Sequence, residues 1–251
     1  MTRIFLPPEH LESNEIVITG DNARHLALVL RIKTGETVHV LDGNGSTYTC
    51  KVLDVQKKNI VVQKVDKKAC AAESPLSITL VQGIPRREKM ELIIQKSTEL
   101  GVHIIMPVIT ERSQVRHTQK LDRWKKIAAS AAQQSGRERI PEIMVPVTFD
   151  DYLAALPDLP LDKTGKQDGL LKVILSETCE EQNLKKILKA NQDATQISLL
   201  VGPEGGFSRE EIHVAVEKAF VEVSLGPRIL RTETAPISSI SIIQYELGDM
   251  G

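Results

Sequence analysis

The run ISLLVGPEGGFSREEI, Ile197 to Ile212, breaks from an apolar stretch into Gly202-Pro203-Glu204-Gly205-Gly206 and restarts at once as a charged segment. Glycine at a strand end lets a ligand lie directly on backbone N–H and C=O groups. A phosphate cradle is the obvious use, but no Walker lysine follows and the G-x-G-x-x-G spacing is absent. Neither a nucleoside triphosphatase nor a dinucleotide site is therefore supported. Glu204 would repel phosphate, so an uncharged or cationic ligand suits the loop better. Ser208 with Glu211 forms a capping box that starts a helix, which explains Ser208 but none of the glycines. A second run, LGPRILRTETAP from Leu225 to Pro236, packs two arginines, a glutamate and two threonines into a connection that needs only a few residues. Charged groups at the mouth of a sheet beside a glycine loop form a candidate site. A plain surface ion pair between Arg228 and Glu233 accounts for the same composition equally well.

These loops need elements to hold them. RIFL, EIVIT, ETVHVLD, STYTCKVLDV and NIVVQKV read as short strands, with a hairpin turn at Asp42–Ser46. The helical stretch DNARHLALVLR places Leu26, Val29 and Leu30 on one face. Together they predict a small β-barrel module, followed by a linker from Lys67 to Pro75. Beyond it strands and helices alternate. LSITLVQG is a strand and RREKMELIIQKSTELG a helix stopped at Gly101. HIIMPVI is a strand, and KLDRWKKIAASAAQQS puts Leu121, Trp124, Ala128 and Ala131 on one helical face. After the polar loop PLDKTGKQDG, expected to be mobile, come LKVIL, EQNLKKILKA, ISLLV, the helix after Ser208, VEVSL and a last helix from Pro236. Nearly all-apolar strands between helices predict a parallel sheet covered on both faces. In such sheets ligands bind beyond the carboxyl ends of the strands, where LKVIL runs into Ser176-Glu177-Thr178 and the two loops above follow their own strands.

The chain has 251 residues and a formal net charge of −1. No apolar run is long enough to cross a bilayer, and MTRIFLPPEHLESNE lacks the apolar stretch of a secretory signal. Cys50, Cys70 and Cys179 are scattered and the six histidines dispersed, so neither a disulfide framework nor a metal site is expected, and a reducing cytoplasm is. Charge is uneven. Residues 83–140 hold 12 Lys+Arg against 6 Asp+Glu, and residues 141–251 hold 10 against 18. That distribution fits a positive face for nucleic acid, though charge alone slightly favours two solvated basic helices.

Four blocks, KSTELGVHIIMPVITERS, AAQQSGRERIP, VGPEGGFSREE and LGPRILRTETA, in this order along the chain, resemble the RsmE family of 16S rRNA uridine N3-methyltransferases in the SPOUT superfamily. The resemblance spans essentially the whole chain. It implies a PUA-like RNA-binding module in residues 1–72 and an α/β domain with a deep trefoil knot in residues 73–251, the knot lying near Gly202 to Pro236. Homodimerisation, a small-subunit rRNA substrate, and S-adenosylmethionine as cofactor, held bent by the three loops, are also implied. Carried over by residue, Leu175, Ser176 and Glu177 would line the cofactor from the first loop, and Val201, Gly202, Glu204 and Gly205 from the second. Leu225, Gly226, Ile229, Leu230, Thr234 and Ala235 would hold it from the third. One position departs: relatives carry Glu where this chain has Gln133, so Gln133 is assigned no acid–base role.

N3 of uracil is a poor nucleophile while protonated, so the protein must remove the proton or stabilise the anion on O2 and O4. Arg231 or Arg228 is expected to stabilise the anion, with Glu233 taking the proton or orienting an arginine; a structural Glu233–Arg231 pair is the competing assignment. Phosphate contacts are expected from Arg86, Arg87, Arg112, Arg116 and Lys120, and Arg137 would face the base or a phosphate. Rival functions are a related methyltransferase acting on a ribose 2′-hydroxyl and an RNA-binding ribosome assembly factor with a vestigial pocket. The intact glycine and RILRTETA blocks speak against the latter.

Overall fold

The computed structural model describes residues 2–69, 73–157, 166–167 and 169–251, and the chain divides into two units. The first comprises Met1–Glu73 with Ala132–Ile140. Its strands β1 (Arg3–Phe5), β2 (Glu15–Thr19), β3 (Thr37–Leu41), β4 (Ser46–Val55) and β5 (Asn59–Ala69) form one sheet in the order β1-β3-β4-β5-β2. Period-two alternation buries Ile16 and Ile18 of β2 and turns Glu15, Val17 and Thr19 outward. At the β3–β4 turn, Asp42 Oδ1 accepts from the N–H groups of Asn44 at 2.8 Å and Ser46 at 2.9 Å. Register shifts between Thr49 and Cys50 and between Val52 and Asp54 bend β4 over a core that includes Ile4, Ile16, Ile18, Leu26, Val38, Ile60 and Val62.

Two expectations for this unit change. Helix α1 (Gly20–Arg24) passes into a π-helical turn, His25–Val29, closed by Leu30 N–H on the His25 carbonyl at 3.0 Å. The wider turn rotates later residues off the 3.6-residue face: Leu26 is buried, but Val29 is 67% and Leu30 45% exposed. The expected linker also starts too early, since β5 continues to Ala69, pairing Lys67 with Tyr48 and Lys68 with Thr47. Residues 70–72 of that linker lie outside the described residues, as does most of the polar loop 160–169.

The second unit comprises Ser74–Ala131 and Pro141–Gly251. Its sheet contains β6 (Ser77–Gly83), β7 (Ile104–Ile109), β8 (Glu142–Ile143), β9 (Val147–Thr148), β10 (Lys166–Gln167), β11 (Leu170–Leu175), β12 (Gln196–Val201) and β13 (Val221–Val223). The order is β13-β11-β12-β6-β7, with β8 and β9 both on β7, and every pairing is parallel except β10 with β11. Every β12 residue after Gln196 is buried, as a strand covered on both faces requires. The helices are α2 (Lys89–Glu99), α3 (Leu121–Ser135, whose last four residues belong to the first unit), α4 (Phe149–Ala154), α5 (Leu184–Ala190), α6 (Arg209–Glu217) and α7 (Thr234–Leu247). Helices α2 and α5 both pack on α7, while α4 packs on α6, with the rings of Phe149 and Phe207 5.1 Å apart.

Helix α4 is absent from the sequence reading, although Thr148 caps it by accepting from Asp151 N–H at 3.1 Å. Helix α7 begins at Thr234, two residues before the expected Pro236. Pro236 sits in the first turn, where N–H groups have no intrahelical acceptor and a missing donor costs little.

Candidate active site

Strands β11, β12 and β13 run parallel and end together. Leu175 leads into a turn fixed by Ser176, whose Oγ lies 2.8 Å from Thr178 Oγ1 and accepts from Thr178 N–H at 3.2 Å. Val201 leads into the glycine loop, and the predicted capping box closes it, with Glu211 N–H on Ser208 Oγ at 3.3 Å and Ser208 N–H on Glu211 Oε2 at 2.8 Å. The third loop, after β13, is tied to the second at one buried carbonyl: Gly202 O accepts from Thr232 Oγ1 at 2.9 Å and from Gln82 Nε2 at 3.3 Å.

Gly202 serves the packing of the loop itself. A Cβ on Gly202 would lie 2.9 Å from the Cα and C of Gly206, so the loop packs main chain on main chain. Gly83, at the end of β6, is just as constrained: a Cβ there would meet Pro203 Cδ at 2.5 Å and Pro203 N at 2.7 Å.

Between the loops lies a cavity of about 360 Å³. The first loop contributes Leu175, Ser176 and Glu177, and the second Val201, Gly202, Pro203, Glu204 and Gly206. From the third come Leu225, Gly226, Arg228, Ile229, Leu230, Arg231, Thr232 and Ala235, and from the start of α2 Lys89. Most of the residues singled out from sequence meet here. Gly205, Glu233 and Thr234 do not line the cavity: Gly205 faces Arg112, the Glu233 carboxylate pairs with Lys89, and Thr234 N–H is bonded to the Arg231 carbonyl in the first turn of α7. Lys89, Pro203, Gly206 and Thr232 were missed.

Lys89 organises the charge. Its ammonium is 3.1 Å from Glu204 and 3.1 Å from Glu233, while Arg86 N–H donates to both Glu204 oxygens at 3.2 and 3.3 Å. The side-chain bond to Glu233, against a desolvation cost and with help from Glu204, pushes the Lys89 ammonium up from its ordinary value. Burial alone would raise the Glu233 carboxyl. Its own backbone N–H, Lys89 and Arg231 outweigh that and hold it below the usual carboxylate value. Glu233 thus pairs with Lys89, not with Arg228 in the surface pair that composition allowed.

The basic residues separate into three groups. Arg86 and Arg87 are exposed just before α2. Arg112 donates to the Gly205 carbonyl at 2.8 Å, Arg116 donates to the carbonyls of Thr110 and Glu111, and exposed Lys120 shares Glu91 with Arg123. Arg137 departs from expectation. It belongs to the first unit, where it is 5% exposed and its Nη2 is 2.7 Å from Glu73; a buried, neutralised guanidinium has no charge to offer a phosphate. In the same unit Gln133 Nε2 donates to the Arg3 carbonyl at 2.7 Å.

Residues 72–244 match the RNA methyltransferase domain family and residues 18–65 the RNA methyltransferase PUA domain family. Ribosomal RNA small subunit methyltransferase E of Aquifex aeolicus is 33% identical over 242 residues, 94% of this chain and 96% of its own length. The chain belongs to the ribosomal RNA small subunit methyltransferase E family. The crystal structure of methyltransferase E from Neisseria gonorrhoeae bound to S-adenosyl methionine is similar over 100% of both chains, with 34% identity and a TM-score of 0.87. A methyltransferase of Legionella pneumophila, solved in complex with the cofactor SAM, is similar over 99% of both chains, with 35% identity and a TM-score of 0.84. For a methyltransferase E the cavity here has the right chemistry for such a cofactor. Leu175, Val201, Leu225 and Leu230 supply apolar walls, and Glu177 supplies negative charge for a cation, while the Glu204 carboxylate is shared with Lys89.

Proposed function

We propose that the chain transfers the methyl group of S-adenosylmethionine to N3 of a uridine in 16S rRNA. The observation that carries this reading is the cavity at the ends of β11, β12 and β13, walled by leucines and edged by both carboxylates and cations. When bound, S-adenosylmethionine supplies a methyl on a positively charged sulfur, and transfer to N3 leaves a neutral thioether. Leu175, Ser176, Glu177, Val201, Gly202, Glu204, Leu225, Gly226, Ile229, Leu230 and Ala235 hold that cofactor, and Gly205 and Thr234 act from behind the wall.

Arg228 and Arg231 line the same cavity and stabilise the negative charge that spreads over O2 and O4 of the deprotonated base. A carboxylate held below its usual range accepts protons poorly. Glu233 therefore orients Lys89 between the loops, and the N3 proton leaves to water. N3 lies on the Watson–Crick edge, so the base must enter unpaired or flipped. Arg86, Arg87 and Lys120, with the PUA-like module of residues 1–72, hold the rRNA backbone.

In this reading residues 73–251 form the catalytic domain, with the Leu225–Pro236 loop part of a deep trefoil knot as in SPOUT enzymes. The exposed apolar side chains Ile242 and Tyr245 on α7 support a homodimer, which works in the cytoplasm. No metal enters the scheme. Among the described residues no group of three or more His, Cys, Asp or Glu is placed to hold one, and no helix is long and apolar enough to cross a membrane.

The test offers labelled S-adenosylmethionine with small subunits from cells lacking the modification and, separately, with naked 16S rRNA, and identifies the product nucleoside by mass spectrometry. N3-methyluridine is expected. A methyl group on a ribose 2′-oxygen, or no incorporation despite cofactor binding, overturns the reading.

A further inference from the structure

Two hydrogen bonds join the segment after β7, residues 110–116, to the glycine loop and its helix. Arg112 Nη1 donates to Gly205 O at 2.8 Å. Glu211, in the first turn of α6, accepts from Glu111 N–H through Oε1 at 2.7 Å while its Oε2 holds Ser208 N–H. Glu211 is 8% exposed, and a buried carboxylate with both oxygens on main-chain donors is a fixed strut. The segment is also closed on itself. Arg116 donates to Thr110 O at 3.1 Å and Glu111 O at 2.9 Å, and Thr110 N–H donates to Ser113 Oγ at 3.1 Å.

A segment that served only to present cations to RNA would leave its guanidinium groups free. Here Arg112 reaches back to the cofactor loop instead. Gly205 fits that arrangement, because a Cβ at this position would lie 3.1 Å from Arg112 Cβ and 3.3 Å from its Cδ. The space a side chain would take is filled by the arginine stem.

We propose that Arg112 is a positioning residue for the glycine loop, acting through Gly205, and that Glu211 fixes segment 110–116 so that it can do so. The inference rests on the reading of the neighbouring cavity as a cofactor site. Its consequence is a linkage: whatever draws Arg112 away, an RNA phosphate included, changes cofactor affinity, and cofactor binding changes affinity for that group by the same factor.

The test is calorimetric titration of the whole protein, without RNA, using S-adenosylhomocysteine as probe. Arg112→Ala and Gly205→Ala each weaken binding by about 5-fold, the low end for coupled sites. The double variant is no weaker than Arg112→Ala alone, because Gly205→Ala acts by crowding the arginine stem that Arg112→Ala already removes. Arg112→Lys, which keeps one donor, falls between Arg112→Ala and wild type. Gly205→Ala keeps the arginine in the chain but pushes its stem aside, and it carries the test alone if Arg112→Ala does not fold. Arg112→Ala that titrates like wild type while losing rRNA affinity overturns the proposal, as do additive single effects. Absence of heat with the wild-type protein sinks the cofactor reading itself, and this inference with it.

Discussion

Lys89→Met removes the charge that ties two loops together while keeping the length of the side chain. The ammonium lies 3.1 Å from Glu204 of the glycine loop and 3.1 Å from Glu233 of the third loop, and the three side chains are 31%, 32% and 17% exposed. Water reaches all three, so each pair contributes about 0.5–1 kcal/mol, the range for screened ion pairs. Two pairs together give about 1–2 kcal/mol, and at about 1.36 kcal/mol per tenfold this predicts a loss of about 5- to 30-fold in kcat/KM. The assay is single-turnover methyl transfer to small subunits at subsaturating rRNA, with cofactor affinity measured separately. Lys89→Arg keeps the charge and restores most of the rate. Glu233 also loses a partner that holds its carboxyl down, so in Lys89→Met it titrates at higher pH than in wild type. A folded Lys89→Met protein with unchanged kcat/KM and unchanged cofactor affinity would refute the reasoning, since the loops would then hold their places without it.

Other outcomes are equally specific. Glu73 accepts from Arg137 Nη2 at 2.7 Å and from the N–H groups of Glu138 and Arg139 at 3.0 Å each; Glu73→Ala strands a buried guanidinium and costs about 3 kcal/mol, read as a lower unfolding temperature, and an unshifted one contradicts it. Burial pushes the Glu73 carboxyl up, but Arg137 and the two N–H groups bring it below its usual 4.5. Its stabilisation is therefore complete above that pH and disappears as pH falls through the lower folded value. Glu73→Gln should flatten this acid limb, and an unaltered limb sinks the assignment. Gly83→Ala drives a Cβ into Pro203 and costs about 1–3 kcal/mol as overpacking; normal stability together with normal cofactor binding argues against the close approach. Cys50 is fully buried, its thiol pushed up to about 11 mainly by desolvation, so thiol reagents at pH 8 reach it only on unfolding, and native-state labelling would count against this.

Local chemistry made much of this structure readable in advance. Strand β4 matches the stretch STYTCKVLDV because β-branched residues and a glycine-rich turn sit side by side in sequence. The Ser208–Glu211 capping box needs only its own four residues, and Gly101 stops α2 with φ at +87°. What escaped depends on distant chain. Lys89 is one lysine of a charged helix start until Glu204 and Glu233, more than a hundred positions away, converge on it. Two glutamates in a site expected to bind RNA were the available hint that a cation must stand between them. Arg137 reads as an exposed arginine because nothing near it in sequence announces Glu73. Val29 and Leu30 were misplaced because a π-helical turn has no periodic signature of its own.

The contact of Gly202 with Gly206 bears on the timing of ligand traffic. A loop whose shape is set by its own main chain stands ready before anything arrives, so capture need not wait for it to order. Arrival rates should then be similar across related ligands, set by encounter and the shedding of water. Competing molecules would be ranked by how long they stay. In a continuous-flow experiment, product thioether and fresh cofactor would differ in residence time far more than in rate of entry.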